Sequence, residues 1–123
     1  MTGRCYLVYA LAPAGTRPRE ANDRINEYVA DERRGLAVWH DHFLERHGGA
    51  IVLEIRSDEE RALLDDPGPL AGWELTVHPP MYALTAGGFD ALTSFTLERY
   101  RGVTLEELAA AEPDDPRFWW KQT

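Results

Sequence analysis

Residues 35–57, GLAVWHDHFLERHGGAIVLEIRS, constrain the fold more than any other stretch of the chain. Apolar residues recur at helical spacing in the first half, a Gly48-Gly49 pair interrupts, and the second half alternates with period two. With Leu36 at zero on a wheel of about 100° per residue, Phe43 falls near −20°, His47 near +20° and His40 near +40°. This spacing predicts one long helix over residues 19–47. Ile25, Val29, Leu36, Phe43 and His47 form its buried stripe, and Tyr28 and Trp39 lie on the shoulder. Asp31, Arg34, Asp41, His42 and Glu45 fall on the opposite side, as a half-buried helix requires. Gly35 weakens the middle, and Gly48 supplies the glycine that ends such a helix. His40 and His47 then share an apolar stripe, where an imidazole needs a partner or a purpose.

The flanking segments are shorter. RCYLVYALA, residues 4–12, reads as a first strand buried on both faces. A turn follows at residues 13–18, with Thr16 expected to cap the helix and Pro18 in its first turn. Residues 50–56 alternate as a strand, with Ile51, Leu53 and Ile55 on one face and Val52, Glu54 and Arg56 on the other. Ser57-Asp58-Glu59-Glu60 is a capping box that opens a short helix ending in DDPGP. Residues 73–78 form a further strand, stopped by Pro79-Pro80, and residues 81–86 are expected to resume it at an edge. An amphipathic helix over residues 89–100 ends at Gly102, and a second capping box at Thr104 starts the last helix. Phe118, Trp119 and Trp120, adjacent after a proline-rich turn, should dock on this core or on a partner subunit. The expected organisation is a single α+β domain over residues 1–123, with a core at about 4–80 and a C-terminal helical extension at about 81–123.

Charge and composition narrow the function classes. A formal charge of −8, with acids interleaved among the arginines, argues against nucleic acid and anionic membrane as partners. No apolar run reaches the ~18 residues of a membrane span, and no leader pattern is present, so a cytoplasmic protein is expected. The lone Cys5 sits in an apolar strand and reads as a small buried hydrophobe.

His40-Asp41-His42 has the look of a metal motif. On a helix, however, residues two apart diverge by about 200°, so the two imidazoles would not share an ion. No metal and no cofactor is expected. Proton transfer is the better use of an inward histidine, because its reference pKa of roughly 6.5 suits acid or base work near neutrality. His40 and His78 are the candidate catalytic residues, meeting Glu54 or Glu74 in a space between helix and sheet. Trp39, Glu54 and Tyr82 are the candidate ligand-binding side chains. No phosphate-binding glycine loop and no GxSxG elbow is present, so nucleotide binding and serine hydrolysis have no support.

The order of strand, long helix ending in H-G-G, strand, S-D-E-E helix, D-P and G-W-E-L-T-V-H-P resembles the YCII-related proteins of the dimeric α+β-barrel superfamily. The matching residues are His40, then 57–67, then 72–79. The resemblance implies a ferredoxin-like subunit with a short antiparallel sheet that pairs with a second copy. It also implies an acid-base or ligand-orienting role for His40. The ferredoxin-like plan has two strands between its helices, whereas only residues 50–56 are a clear candidate here. Two functions follow as expectations. One is a cofactor-free enzyme acting on a small organic substrate by histidine-mediated proton transfer. The other is a non-catalytic dimer that binds a small ligand or serves assembly, its core histidines being structural.

Overall fold

The computed structural model describes residues 3–78 and 84–111. The expectations placed on Tyr82, on the edge strand at 81–86 as far as residue 83, and on Phe118, Trp119 and Trp120 lie outside the described residues. The chain divides into two compact units, Met1–Ala86 and Gly87–Thr123.

In the first unit the elements run β1 (Arg4–Leu11), α1 (Pro18–Ala30), β2 (Leu36–His42), β3 (Gly48–Ile55), α2 (Asp58–Leu63) and β4 (Glu74–Val77). The four strands form one sheet in the order β2-β3-β1-β4, and every neighbouring pair is antiparallel. The fold is therefore α+β with an antiparallel sheet.

The long helix predicted over residues 19–47 is corrected to a helix, a tight turn and a strand. Pro18 sits at the start of α1, where its missing N–H costs nothing. Thr16 does not cap it: the Thr16 hydroxyl donates to the Pro13 carbonyl at 2.7 Å, closing the preceding turn. Ala21, Ile25 and Tyr28 make the buried stripe. After Ala30 the Asp31 carboxylate accepts the Arg33 N–H at 3.2 Å, and a 3-10 turn follows over Glu32–Arg34. Gly35 then takes φ 114°, a conformation that side chains with a Cβ avoid, and the chain leaves as β2. The glycine that looked like a weak point inside a helix is the end of one.

The second glycine pair is corrected as well. Gly48 and Gly49 do not cap a helix; they open β3. A Cβ on Gly48 would collide with the Ala10 carbonyl across the sheet, so the close approach of β1 requires glycine there. The hairpin between β2 and β3 supplies the second strand between the helices that sequence reading did not find.

The core lies between the sheet and its helices. Tyr6, Val8 and Ala10 from β1 meet Ile51, Leu53 and Ile55 from β3, with Ile25 and Tyr28 of α1, Leu64 and Leu70 packed on them. The capping box is present at Ser57, whose hydroxyl accepts the Glu60 N–H at 3.1 Å, while the Glu60 carboxylate accepts the Arg56 N–H at 2.8 Å.

Arg34 is the polar anchor of this side. Only 3% exposed, it donates to the carbonyls of Leu63 and Asp66, stands 3.4 Å from the Asp31 carboxylate and lies over the Tyr28 ring at 4.6 Å. A cation buried this deeply is tolerated because carbonyls, a carboxylate and an aromatic face surround it. It ties the turn after α1 to the segment that ends α2. On the helical wheel Arg34 belonged to the solvent side, and that placement is overturned.

The second unit holds the rest of α3 (Ala86–Thr96), a π-helical turn over Leu97–Arg101, and α4 (Leu105–Ala110). Gly102, at φ 69°, ends the π turn, and the Thr104 hydroxyl accepts the Glu107 N–H at 3.1 Å to start α4, as the second capping box predicts. Leu97 and Val103 form a small apolar cluster with Leu108 and Ala111. Among the described residues, no helix is long and apolar enough to cross a membrane.

Candidate functional site

Antiparallel register fixes which side chains share a face, because paired residues point the same way. Tyr6 pairs Leu53, Val8 pairs Ile51, and both rows point to the helices. The alternate residues point to the other, open side. Cys5 pairs Glu54, Leu7 pairs Val52 and Tyr9 pairs Ala50 there. β2 adds Leu36 opposite Glu54, Trp39 opposite Val52 and Asp41 opposite Ala50.

The sequence-derived candidates are thereby divided by the sheet. His40 pairs Ile51 and so lies on the helix side of β2. Trp39 and Glu54 lie on the open side. The His78 N–H donates to the Leu7 carbonyl at 2.9 Å, extending the pairing of β4 by one residue. Its side chain thus joins the open side. Trp39, Val52, Leu7 and His78 form one transverse row across β2, β3, β1 and β4. Its two ends are three strand spacings apart, about 14 Å at ~4.8 Å each. His40 and His78 do not meet: they occupy opposite faces and opposite edges. Tyr82 lies outside the described residues.

Glu54 and Glu74 have other partners. The Glu54 carboxylate, buried, accepts the Ala86 N–H at 2.8 Å at the start of α3. A carboxylate in this position satisfies a backbone donor that a helix leaves without an internal partner. Glu74 pairs Leu11 and accepts from Arg46 at 3.1 Å on the surface. Beside Glu54, Cys5 is fully buried, and burial first and the Glu54 charge second push its thiol pKa up. The thiol stays protonated at neutral pH, which fits the buried hydrophobe and not a nucleophile.

The open side leaves large apolar side chains exposed on β1 and β2. Trp39 is 46% exposed, Leu36 42% and Tyr9 39%. At the hairpin end the Tyr9 ring lies 5.0 Å from that of Phe43. There a shallow hollow of about 460 Å³ opens beside Tyr9, Leu11, His42, Phe43 and Arg46.

On the helix side, at the β2 edge, a second arrangement appears that sequence reading had excluded. His40 pairs Ile51 and His42 pairs Gly49, so both imidazoles point the same way. Their ring centroids are 5.4 Å apart in an edge-to-face contact. The helical geometry that set them about 200° apart does not apply; on a strand, residues two apart share a face. Asp41 points to the opposite side, its carboxylate accepting the His42 N–H at 2.8 Å. Strand alternation of Val38, His40 and His42 was the signal available in the sequence. Among the described residues, no group of three or more His, Cys, Asp or Glu side chains is placed to hold a metal. In comparison with known proteins, the chain matches no family model, no curated protein and no solved structure.

Proposed function

We propose that this chain is a ferredoxin-like subunit, resembling the YCII-related proteins, that works as a homodimeric small-ligand-binding or assembly module. The order βαββαβ with the strand order β2-β3-β1-β4 supports the ferredoxin-like part of this reading. The observation that carries the dimer is the open side of the sheet, where Leu36, Trp39 and Tyr9 remain exposed beside Leu7 and Val52. Cys5, Val52 and Glu54 on that face are already buried, so the part that a partner would cover is the apolar patch of Leu36, Trp39 and Tyr9. A second copy offers the same surface under two-fold symmetry, with Trp39 near the centre of the contact. The ligand would be a small, partly apolar organic molecule held between the sheets near Trp39.

Binding is favoured over proton-transfer catalysis by the placement of the acid-base groups. His40 is on the other side of the sheet from His78, Glu54 and Glu74, and Glu54 already accepts from the start of α3. A general base needs its partners within hydrogen-bond reach, and one subunit does not bring these together.

Light scattering at micromolar concentration tests the dimer. Two chains of 13.9 kDa give 27.8 kDa for the pair. The wild type should run at the dimer mass and Trp39→Glu at the monomer mass with unchanged circular dichroism. A wild-type monomer at all concentrations would sink the reading, and a dimer indifferent to Trp39→Glu would move the interface elsewhere.

A further inference from the structure

We propose that His40 and His42 form a two-imidazole chelate for a late first-row divalent cation, with Cu(II) the strongest binder and water completing the coordination. The inference does not require the dimer: both histidines rise from the helix side of β2, and His42, at the strand's end, also borders the hairpin hollow shared with Tyr9 and Leu11.

Three observations carry it. The first is direction: both side chains rise from the same face of β2, paired to Ile51 and Gly49 of the neighbouring strand. The second is distance. A cation held by two imidazole nitrogens at about 2.0–2.1 Å, at an angle of roughly 90–110°, sets the ring centroids about 4.5–5.3 Å apart. The observed 5.4 Å is close to the upper end of that range, and rotation about the side-chain bonds would turn a nitrogen of each edge-to-face ring toward one cation. The third is an unpaired nitrogen: His42 Nδ1 is buried and has no hydrogen-bond partner. In the neutral tautomer with the proton on Nε2, Nδ1 carries a lone pair to which no described residue donates. An unsatisfied buried polar atom costs about 1–3 kcal/mol, and a bound cation offsets that cost.

The position suits a cation that keeps water ligands. β2 is the edge strand of the sheet, and His42 also lines the open hollow at the hairpin, which admits solvent. The donor set is neutral imidazole without thiolate, which favours Cu(II), Ni(II) and Zn(II) over Mg(II) or Ca(II). Cu(II) leads by the general order of divalent affinities. Asp41 projects from the opposite face, so the charge it carries does not supply a third protein ligand.

Calorimetric titration with Cu(II) and with Zn(II), joined to electron paramagnetic resonance of the Cu(II) form, tests the site. The wild type should bind one Cu(II) per chain, with coupling to two nitrogens, and Zn(II) more weakly at the same site. His40→Asn and His42→Asn should each weaken Cu(II) by about tenfold or more, since loss of a ligand exceeds the cost of disturbing its outer shell. Each should leave coupling to a single nitrogen. His47→Asn and His78→Asn should match the wild type. Circular dichroism of every variant establishes folding; His40 is only half-buried, so His40→Asn carries the test should His42→Asn fail to fold. No binding, half an equivalent per chain, or equal losses in His47→Asn or His78→Asn would each overturn the chelate.

Discussion

The two sides of the sheet are made by the same strands, and among the described residues one is closed throughout while the other is closed at Cys5, Val52 and Glu54 and exposed at Leu36, Trp39 and Tyr9. Toward the helices, Val8, Ala10, Ile51, Leu53 and Ile55 are fully buried under α1 and the segment around Leu70. Toward the open side, Leu36, Trp39 and Tyr9 keep about two-fifths of their surface in water. Both rows are apolar, so apolar alternation by itself does not tell which face is the core of the subunit. The difference lies in what crosses over each face. It teaches that the helix side sets the stability of one chain, whereas substitutions at the exposed patch of Leu36, Trp39 and Tyr9 should leave it nearly untouched.

The largest effect should come from cutting into the closed side. Leu53→Ala is expected to cost about 2–5 kcal/mol in urea unfolding, the usual range for a buried leucine whose cavity does not collapse. Trp39→Ala on the open side should change the stability of the separated chain by less than about 1 kcal/mol. A comparable loss at Trp39 in monomeric protein would erase the contrast between the faces.

Arg34→Leu should come next, at about 2–4 kcal/mol by the same measurement. The substitution leaves the Leu63 and Asp66 carbonyls without their donor and removes the charge that faces Asp31. Retained stability in Arg34→Leu would show that the closed side holds by apolar packing alone. Ser57→Ala is expected to cost about 1 kcal/mol through the lost cap of α2. Restoration by Ser57→Asp would assign the loss to the cap.

Much of this architecture is legible in the sequence because local chemistry determines it. Cys5-to-Leu11 apolarity, the alternation of Ile51, Leu53 and Ile55, and the capping residues Ser57 and Thr104 act within a few positions of themselves, and β1, β3, α2 and α4 follow. β2 was hidden because Leu36, Phe43 and His47 satisfy a helical period while the register shift at Val38 spoils the strand period. Gly35 and Gly48 were recognised as interruptions, but whether a glycine bends a helix or begins a strand depends on a chain segment far away in sequence. The candidate site suffered most from this. Once residues 36–42 are a strand, His40 changes neighbours, and the pairing with His78 and Glu54 that a helix permitted is lost. Arg34 was illegible for a related reason: its partners at Leu63 and Asp66 are about thirty positions away.

The smallest effect concerns pH, again on the closed side. Hydrogen bonds from the Arg33 side chain, the first cause, lower the Asp31 pKa to about 2. A carboxylate with a depressed folded-state pKa contributes stability that is complete above its unfolded value near 4 and is lost as pH falls toward 2. Thermal unfolding should therefore be insensitive to this group from pH 7 to about 5 and weaken below about 4. Asp31→Asn should flatten part of that acid slope and lower the neutral-pH midpoint by the matching amount, a small one because Arg33 is mostly exposed. An unchanged acid slope in Asp31→Asn would assign the loss to other carboxylates.

Val38 stands between Ala37, which pairs Leu53, and Trp39, which pairs the very next residue, Val52. One residue of β2 is thus carried without a partner, and it sets the phase of everything after it. A chain lacking Val38 would keep Trp39 on the open side and both histidines on the helix side, since each retains its present partner. A chain lacking Asp41 could keep an unbroken ladder only by moving Trp39 under the helices and His40 out among the apolar side chains of the other face. Loss of one codon is therefore nearly silent at one place and inverts the strand three positions later. Where this segment tolerates a change of length is decided by a single unpaired valine.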